Sequence, residues 1–243
     1  MAQEIFERYE KKYMLNPGQR ERLLAAAGSR MRLDGYGRHT ICNLYFDTPD
    51  YQLIRASLQK PVYKEKLRLR GYGTGHSGDD PVYLELKKKY RSVVYKRRTE
   101  MSLKEAKAYV EEGREPERTG QIFREADYTK RRYGLRPLVY ISYEREAYTC
   151  GEEGLRMTFD QNILARHRAL RLDGTPWGTA LLEPGQTLME LKIPGAMPVW
   201  MSRLLAGLAA YPVSFSKYGT YFQQYIYPEL SAGNWRQGGE YCA

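Results

Sequence analysis

Lysine and arginine alternate with apolar residues along two neighbouring segments of the chain, Tyr63–Gly71 and Pro81–Arg98. This alternation, with many β-branched and aromatic residues, predicts one strand and then a hairpin of two strands. The side chains on the polar faces are Lys64, Lys66, Arg68, Arg70, Glu85, Lys87, Lys89, Lys96 and Arg98. Taken alone, such a strand is typical of a solvated or nucleic-acid-binding face. Repeated on several strands, the same sidedness favours a shared site for an anionic ligand.

Other predicted strands carry smaller sets of charges, also on one face each. These are Arg8, Glu10 and Lys12 in Ile5–Leu15, Arg145 in Leu138–Tyr148, Arg156 in Leu155–Leu164, and Glu190 with Lys192 in Thr187–Pro194. Taken alone, Glu190 is more often an ion-pair partner than a metal ligand. Its place on a charged strand leaves both roles open.

Helices are predicted between the strands from their capping residues. Asn16 followed by Pro17 predicts a helix start, and Ser102 with Glu105 forms a capping-box pattern for a second helix. Further helices are predicted at about 49–58, 119–130 and 198–211, and a further strand at about 38–46. Without an internal repeat or a linker, we predict one domain over residues 1–230 and a flexible tail over residues 231–243.

The strand count and order predict an α+β fold built on a closed eight-stranded antiparallel β-barrel, since closure removes unpaired sheet edges. Amphipathic helices would cover the apolar faces outside, and the charged faces would line the lumen. Cations crowded in one lumen depress one another's ionisation, and a bound polyanion removes that penalty. The pattern therefore predicts a ligand that is long, thin and densely negative.

The composition of the chain limits the classes of partner that it could bind. The 243 residues carry 39 Lys and Arg against 29 Asp and Glu, a formal charge of +10, which favours an anionic partner. No run of residues approaches the ~18 apolar residues needed to span a bilayer, and there is no apolar signal core. The 3 cysteines are widely spaced, which predicts a reducing compartment and no zinc site. We expect a cytoplasmic protein without a transmembrane segment that does not bind nucleic acid.

Several short motifs occur in a characteristic order. They are Arg-Tyr-Glu-Lys-Lys-Tyr at 8–13, Leu-Tyr-Phe-Asp-Thr-Pro at 44–49, Leu-Arg-Leu-Arg at 67–70, Leu-Glu-Leu-Lys at 84–87, Arg145, Met-Glu-Leu-Lys at 189–192 and Phe-Ser-Lys-Tyr at 215–218. Together they resemble the VTC (vacuolar transporter chaperone) polyphosphate polymerase domain, a branch of the CYTH-like triphosphate tunnel metalloenzymes. The resemblance extends over roughly residues 4–228, and the family fold is an eight-stranded tunnel with charged walls.

The resemblance implies transfer of the γ-phosphate of ATP onto a growing inorganic polyphosphate chain, with Mn²⁺ or Mg²⁺. The implied catalytic residues are Lys12, Arg68, Arg70, Lys87, Arg145 and Glu190. The implied phosphate-binding residues are Arg8, Lys12, Lys66, Arg68, Arg70, Lys87, Lys96, Arg98, Arg145, Arg156, Ser216 and Lys217. Glu190 would bind the metal, because hard divalent cations prefer carboxylate oxygens. Glu85 and Glu10 would assist it or orient neighbouring cations.

One position departs from the hydrolytic relatives, which carry Glu-x-Glu-x-Lys on the first strand. Here Arg8 takes the first place, giving Arg-x-Glu-x-Lys. A lost carboxylate weakens metal binding at that end and adds a phosphate contact, which favours a polymerase. The alternatives are an inorganic or nucleoside triphosphatase with the same tunnel, a non-catalytic polyphosphate-binding module, and a nucleic-acid-binding protein. The last is disfavoured because no recognition motif is present.

Overall fold

The computed structural model describes residues 9–91, 93–117, 119–151 and 153–232. The strands in these ranges are β1 (Tyr9–Leu15), β2 (Arg32–Leu33), β3 (His39–Asp47), β4 (Tyr63–Tyr72), β5 (Pro81–Tyr90), β6 (Val93–Ser102), β7 (Arg136–Cys150), β8 (Leu155–Arg166), β9 (Thr179–Ala180) and β10 (Thr187–Ile193). The α-helices are α1 (Pro17–Ala27), α2 (Gln52–Leu58), α3 (Leu103–Glu111), α4 (Gln121–Tyr133), α5 (Val199–Gly207), α6 (Lys217–Tyr221) and α7 (Tyr227–Ser231). A π-helical turn, Phe222–Ile226, separates α6 from α7.

The strand order is β1-β10-β8-β7-β3-β4-β5-β6, with β2 beside β7 and β9 beside β8. An antiparallel sheet with helices is therefore confirmed, and the predicted closed eight-stranded barrel is wrong. Within the described ranges, the order has two ends, at β1 and β6, and the sheet has 10 strands. The two additional strands, β2 and β9, have 2 residues each and show no readable alternation. Closure depends on strand tilt and stagger, which side-chain alternation does not encode.

The chain forms two compact units, each with its own apolar core. Unit 1 contains the described residues up to Thr40, with Tyr143–Ile163 and Ala180–Phe215. Unit 2 contains Ile41–Ser142, Leu164–Thr179 and the described residues from Ser216 onward. That residues 1–230 form one domain stays a prediction, and most of the predicted tail lies outside the described residues.

In unit 1, the apolar faces of β1, β8 and β10 pack beneath α1 and α5. The register pairs Tyr13 with Met189 and Leu191 with Met157, so these side chains share one face of the sheet. The buried side chains of this core include Leu15, Leu23, Met157, Phe159, Leu191, Met201 and Leu205. The helix start predicted at Asn16 and Pro17 is confirmed. The structure adds a capping box there, in which Asn16 and Gln19 each accept from the other's backbone N–H.

In unit 2, the apolar faces of β3, β4 and β5 pack beneath α3 and α4. Leu67 pairs with Leu86 and Leu69 with Leu84, and all four are buried. Burying one such leucine stabilises the fold by about 1.5–3 kcal/mol, so a one-residue slip that exposed the set would be costly. The predicted capping box of Ser102 and Glu105 begins α3.

The covered apolar faces leave the opposite faces of the same strands for the charged residues. The predicted sidedness is therefore confirmed in each unit, although the closed lumen is not. Among the described helices, none has both the length and the apolar composition that crossing a membrane requires.

Candidate functional site

A buried carboxylate lies at the centre of the charged face of unit 2. The register places Arg68 opposite Glu85 on one side and Arg98 opposite it on the other. Four cations surround this carboxylate, with nitrogen–oxygen distances of 2.7 Å to Arg68, 2.8 Å to Lys96, 3.8 Å to Arg70 and 4.0 Å to Arg98. We call Glu85 and these four cations the Glu85 cluster. Glu85 is 1% exposed, so its charge is stabilised by the cations rather than by water.

The cations change the ionisation of the groups beside them. Burial alone would raise the pKa of Glu85, but the charges of Arg68, Arg70 and Lys96 bring it down to about 2. Burial likewise raises the pKa of Tyr45, whereas Arg68 and Arg70 lower it, to about 8. The face therefore stabilises negative charge strongly, as a phosphate site must.

Uncharged side chains hold two of the cations in fixed positions. Arg70 is buried and donates from Nε to Asn43 Oδ1 at 2.9 Å, and Asn43 donates in turn to the Ile141 carbonyl oxygen. The guanidinium carbon of Arg98 lies 3.5 Å from the centre of the Tyr83 ring, a cation–π distance. Both arginines are therefore oriented before any ligand arrives.

A row of lysines crosses the same face next to the Glu85 cluster. Lys66 pairs with Lys87 across β4 and β5, and Lys87 pairs with Lys96 across β5 and β6. Like charges placed directly opposite each other destabilise a sheet. Lys87 and Lys96 are exposed, so an anionic ligand can reach them and offset this repulsion.

The charged face of unit 1 holds a second group, with more carboxylates. Lys12 pairs with Glu190 in the β1–β10 register, and its Nζ lies 3.2 Å from Glu190 Oε1 and 3.9 Å from Glu10 Oε1. The same Nζ donates to the Phe215 carbonyl oxygen at 2.8 Å. Glu190 also lies 4.0 Å from Arg145. We call Glu10, Lys12, Arg145, Asp160, Glu190 and Lys192 the Glu190 cluster.

Asp160 is the residue of this cluster that the sequence did not single out. Its two oxygens accept from Arg145 Nε at 2.6 Å and Nη2 at 2.7 Å, a bidentate pair, and Asp160 is 0% exposed. Burial lowers the pKa of Arg145, but Tyr143, Asp160 and Glu190 together raise it well above its usual value. Asp160 lies four residues after Arg156 on β8, so strand alternation assigns both to the charged face, and the structure identifies the partner of Asp160.

Lys192 and Arg156 have other surroundings. Burial lowers the pKa of Lys192 to about 8, although Glu190 acts in the opposite direction. Arg156 pairs with Asp34 at 3.3 Å, a carboxylate that the motifs did not indicate. The phosphate-binding role implied for Arg156 stays a prediction, and a phosphate would compete with Asp34 for it.

The Phe-Ser-Lys-Tyr segment leads into α6, which belongs to unit 2. Ser216 is the N-cap, and its Oγ accepts from the Gly219 N–H at 3.2 Å. Lys217 is the first residue of the helix and is half-buried. Arg8 lies outside the described residues, so its implied phosphate contact is a prediction that this structure does not reach.

The described residues contain no group of three or more His, Cys, Asp or Glu side chains arranged to hold a metal ion. Glu85 has Arg68 and Lys96 against its oxygens, and Glu10 and Glu190 share Lys12. For Glu85 these contacts favour the orienting role over the metal-binding one. A metal at Glu190 would draw its other ligands from substrate oxygens or water, as Mg²⁺ commonly does.

The model of the VTC domain family matches residues 7–226. The chain belongs to the VTC domain family. The resemblance inferred from the motifs is thereby confirmed. No curated protein matches the chain.

Solved structures match the chain over most of its length at low sequence identity. One is a protein from Bacillus halodurans described as a "putative adenylate cyclase", with a TM-score of 0.54 and 16% identity over 93% of this chain and 100% of the other. Another, from Vibrio parahaemolyticus and described in the same words, has a TM-score of 0.48 and 13% identity over 90% of this chain and 98% of the other. At 16% identity, the likeness to the Bacillus halodurans protein concerns the fold alone.

Proposed function

We propose that this VTC-family chain is an ATP-dependent polyphosphate polymerase that transfers the γ-phosphate of ATP onto a growing inorganic polyphosphate chain. The observation that carries the proposal is the Glu85 cluster, in which four cations surround one buried carboxylate. Its positive charge is in excess, and the neighbouring lysine row extends it. A ligand with several linked phosphates supplies matching negative charge over the same length.

The proposed reaction needs no nucleophilic side chain. A terminal oxygen of the polyphosphate attacks the γ-phosphorus of ATP, and the bond from that phosphorus to the β–γ bridging oxygen breaks, releasing ADP with the bonding electron pair. The attacking oxygen is already ionised, so no general base is required. Catalysis then consists of positioning and of neutralising charge on the transferred group. Arginine suits this work because its planar donors can bind two phosphate oxygens at once.

The Glu190 cluster could hold a divalent cation, Mn²⁺ or Mg²⁺, through two carboxylates. Glu190 is 8% exposed and would offer one carboxylate, and Glu10 would offer a second one nearby. To bind metal, Glu190 must loosen its pairing with Lys12, which a phosphate beside Lys12 would favour. When bound, the metal supplies positive charge to the oxygens of the nucleotide. Lys12 and Arg145 then bind the remaining phosphate oxygens.

A second candidate is a non-catalytic polyphosphate-binding module. It is favoured by the ion pairs of Glu190 with Lys12 and Arg145, which satisfy this carboxylate without a metal. A triphosphatase is a third candidate, and it would have to orient and activate a water molecule. The expected cytoplasmic location stays a prediction.

Incubation of the purified chain with ATP and Mn²⁺ or Mg²⁺, followed by gel separation of the products, tests the proposal. We expect long polyphosphate together with ADP. Phosphate released without polymer would indicate a hydrolase, and neither product would indicate a binding module. Arg68→Ala should abolish synthesis. The matched control is Arg114→Ala, which removes an exposed arginine paired with Glu112 on the surface and should leave synthesis unchanged.

A further inference from the structure

Asp47 is a fully buried carboxylate in unit 2 that the proposed chemistry does not use. It is 0% exposed and lies at the end of β3, where the Leu-Tyr-Phe-Asp-Thr-Pro motif leaves the sheet. Its Oδ1 accepts from the backbone N–H groups of Thr48 and Leu53, at 2.9 and 2.8 Å. Its Oδ2 accepts from Ile54 N–H at 3.0 Å. Asp47 therefore fixes the N-terminus of α2.

One further donor connects Asp47 to a different part of the chain. The Tyr218 hydroxyl donates to Asp47 Oδ2 at 2.9 Å. Tyr218 is buried and belongs to the first turn of α6, directly after Ser216 and Lys217. Burial and the Asp47 charge raise the pKa of Tyr218 well above its usual value, so the hydroxyl keeps its proton. The hydrogen bond thus fixes the first turn of α6 against the end of β3.

Tyr218 is also connected to the Glu85 cluster by the ring of Tyr45, which lies between them. Its ring centre lies 5.3 Å from that of Tyr45, a distance typical of favourable aromatic pairs. The Tyr45 hydroxyl accepts from Arg68 Nη1 at 3.0 Å, while Arg68 Nε donates to Glu85 at 2.7 Å. Arg68 is therefore held between Glu85 and Tyr45. The neighbouring packing is tight, since a Cβ on Gly219 would lie 3.0 Å from Leu58 of α2.

We propose that Asp47 and Tyr218 are positioning residues, which hold Lys217 and, through Tyr45, Arg68 in place for a phosphate chain. The inference rests on the phosphate-binding role proposed for Lys217 and Arg68. Asp47 and Tyr218 lie within the second and last motifs of the chain, and the hydrogen bond between them joins these two segments. Neither side chain contacts the ligand in this account.

A double-mutant cycle separates positioning from simple stabilisation. Tyr218→Phe keeps the ring and removes only the hydroxyl. We expect it to weaken binding of inorganic tripolyphosphate, measured by calorimetry, by about tenfold. In a Lys217→Ala background it should weaken binding only by the few-fold that is transmitted through Tyr45 and Arg68. Tyr45→Phe should weaken binding by a few-fold through Arg68. The matched control is Tyr221→Phe, which removes a buried hydroxyl of the same helix that contacts His167, and should leave affinity unchanged.

The melting temperature is measured for every variant. Equal affinity of Tyr218→Phe and wild type would overturn the inference, as would an equal loss of affinity in the presence and absence of Lys217, whatever the change in melting temperature. A wild-type protein that binds tripolyphosphate but makes no polymer would contradict the proposed polymerase. The double-mutant cycle would then still test the positioning roles of Asp47 and Tyr218. A wild-type protein that binds no tripolyphosphate would overturn both.

Discussion

The Glu85 cluster and the Glu190 cluster are built on the same strand alternation but differ in charge balance. In the first, four cations surround one carboxylate. In the second, Lys12, Arg145 and Lys192 are matched by Glu10, Asp160 and Glu190. An excess of cations attracts an anion directly. A balanced set does so only when a metal ion joins it or an internal ion pair opens.

This difference assigns separate tasks to the two clusters in the proposed enzyme. The Glu85 cluster would bind phosphates in the absence of metal, and the Glu190 cluster would bind them in its presence. Ion pairs also serve the fold differently. Glu85 neutralises a crowd of cations, whereas Asp160 fixes a single arginine. Substitutions in each cluster therefore test whether the two clusters differ in this way.

The largest effect is expected from Glu85→Gln, which removes the carboxylate and leaves the surrounding cations to repel one another. The pKa of Glu85, held at about 2 against an ordinary value near 4.5, corresponds to about 3 kcal/mol of stability at neutral pH. We expect a loss of that order in chemical denaturation, partly restored by tripolyphosphate. Glu112→Gln, a substitution in an exposed pair, is the control and should change little.

The pH dependence of this loss has a definite sign. Because the folded pKa of Glu85 is below its unfolded value, its contribution is fully present above about pH 4.5 and disappears as the pH falls toward 2. The stability difference between wild type and Glu85→Gln should therefore be constant from pH 7 to about 5 and shrink below that. A difference that stays constant down to the acid limit would show that Glu85 is not held ionised by its neighbours.

A smaller effect, on binding rather than stability, is expected from Lys87→Ala. Lys87 faces Lys66 and Lys96 across the sheet, so its removal relieves repulsion, and the melting temperature without ligand should hold or rise. Tripolyphosphate affinity should fall by about tenfold, or 1.4 kcal/mol. Lys104→Ala is a matched control on an exposed helical lysine. A large drop in melting temperature would mean that Lys87 is structural.

The smallest effect is expected from Lys192→Met in the Glu190 cluster. The folded pKa of Lys192, about 8, is below the ordinary value near 10.5, so the charged side chain destabilises the fold at neutral pH and stability rises between pH 8 and 10.5. Since the side chain is partly exposed, Lys192→Met should stabilise the protein at pH 7 by only about 1 kcal/mol. The same substitution should also reduce the increase in stability between pH 8 and 10.5. An unchanged slope of stability against pH would contradict the lowered pKa of Lys192.

Much of the fold was predictable because its signals are local. Alternation in Tyr63–Gly71 and Pro81–Arg98 predicted which faces are charged, and Asn16 and Ser102 predicted two helix starts. The helix expected from Pro49 begins instead at Gln52. There, Thr48 and Asp47 accept from the first-turn N–H groups.

The partners within each cluster were less predictable. Alternation assigns a residue to a face, but the partner of Asp160 or Asn43 depends on which strands lie side by side. Tyr45 and Asp47 lay in a quoted motif, yet nothing in the sequence connected them to Tyr218, 171 residues from Asp47 along the chain. The open strand order was also unreadable, because it follows from twist and stagger rather than from side-chain type.

The most direct test of the division between the clusters is calorimetric titration of wild type and Glu190→Gln with inorganic tripolyphosphate, each in EDTA and in Mn²⁺. We expect both proteins to bind in EDTA with similar affinity, through the Glu85 cluster. Mn²⁺ should strengthen wild-type binding by about tenfold, or 1.4 kcal/mol, and leave Glu190→Gln unchanged. No binding by wild type in EDTA, or a full gain in affinity from Mn²⁺ in Glu190→Gln, would contradict this division between the clusters.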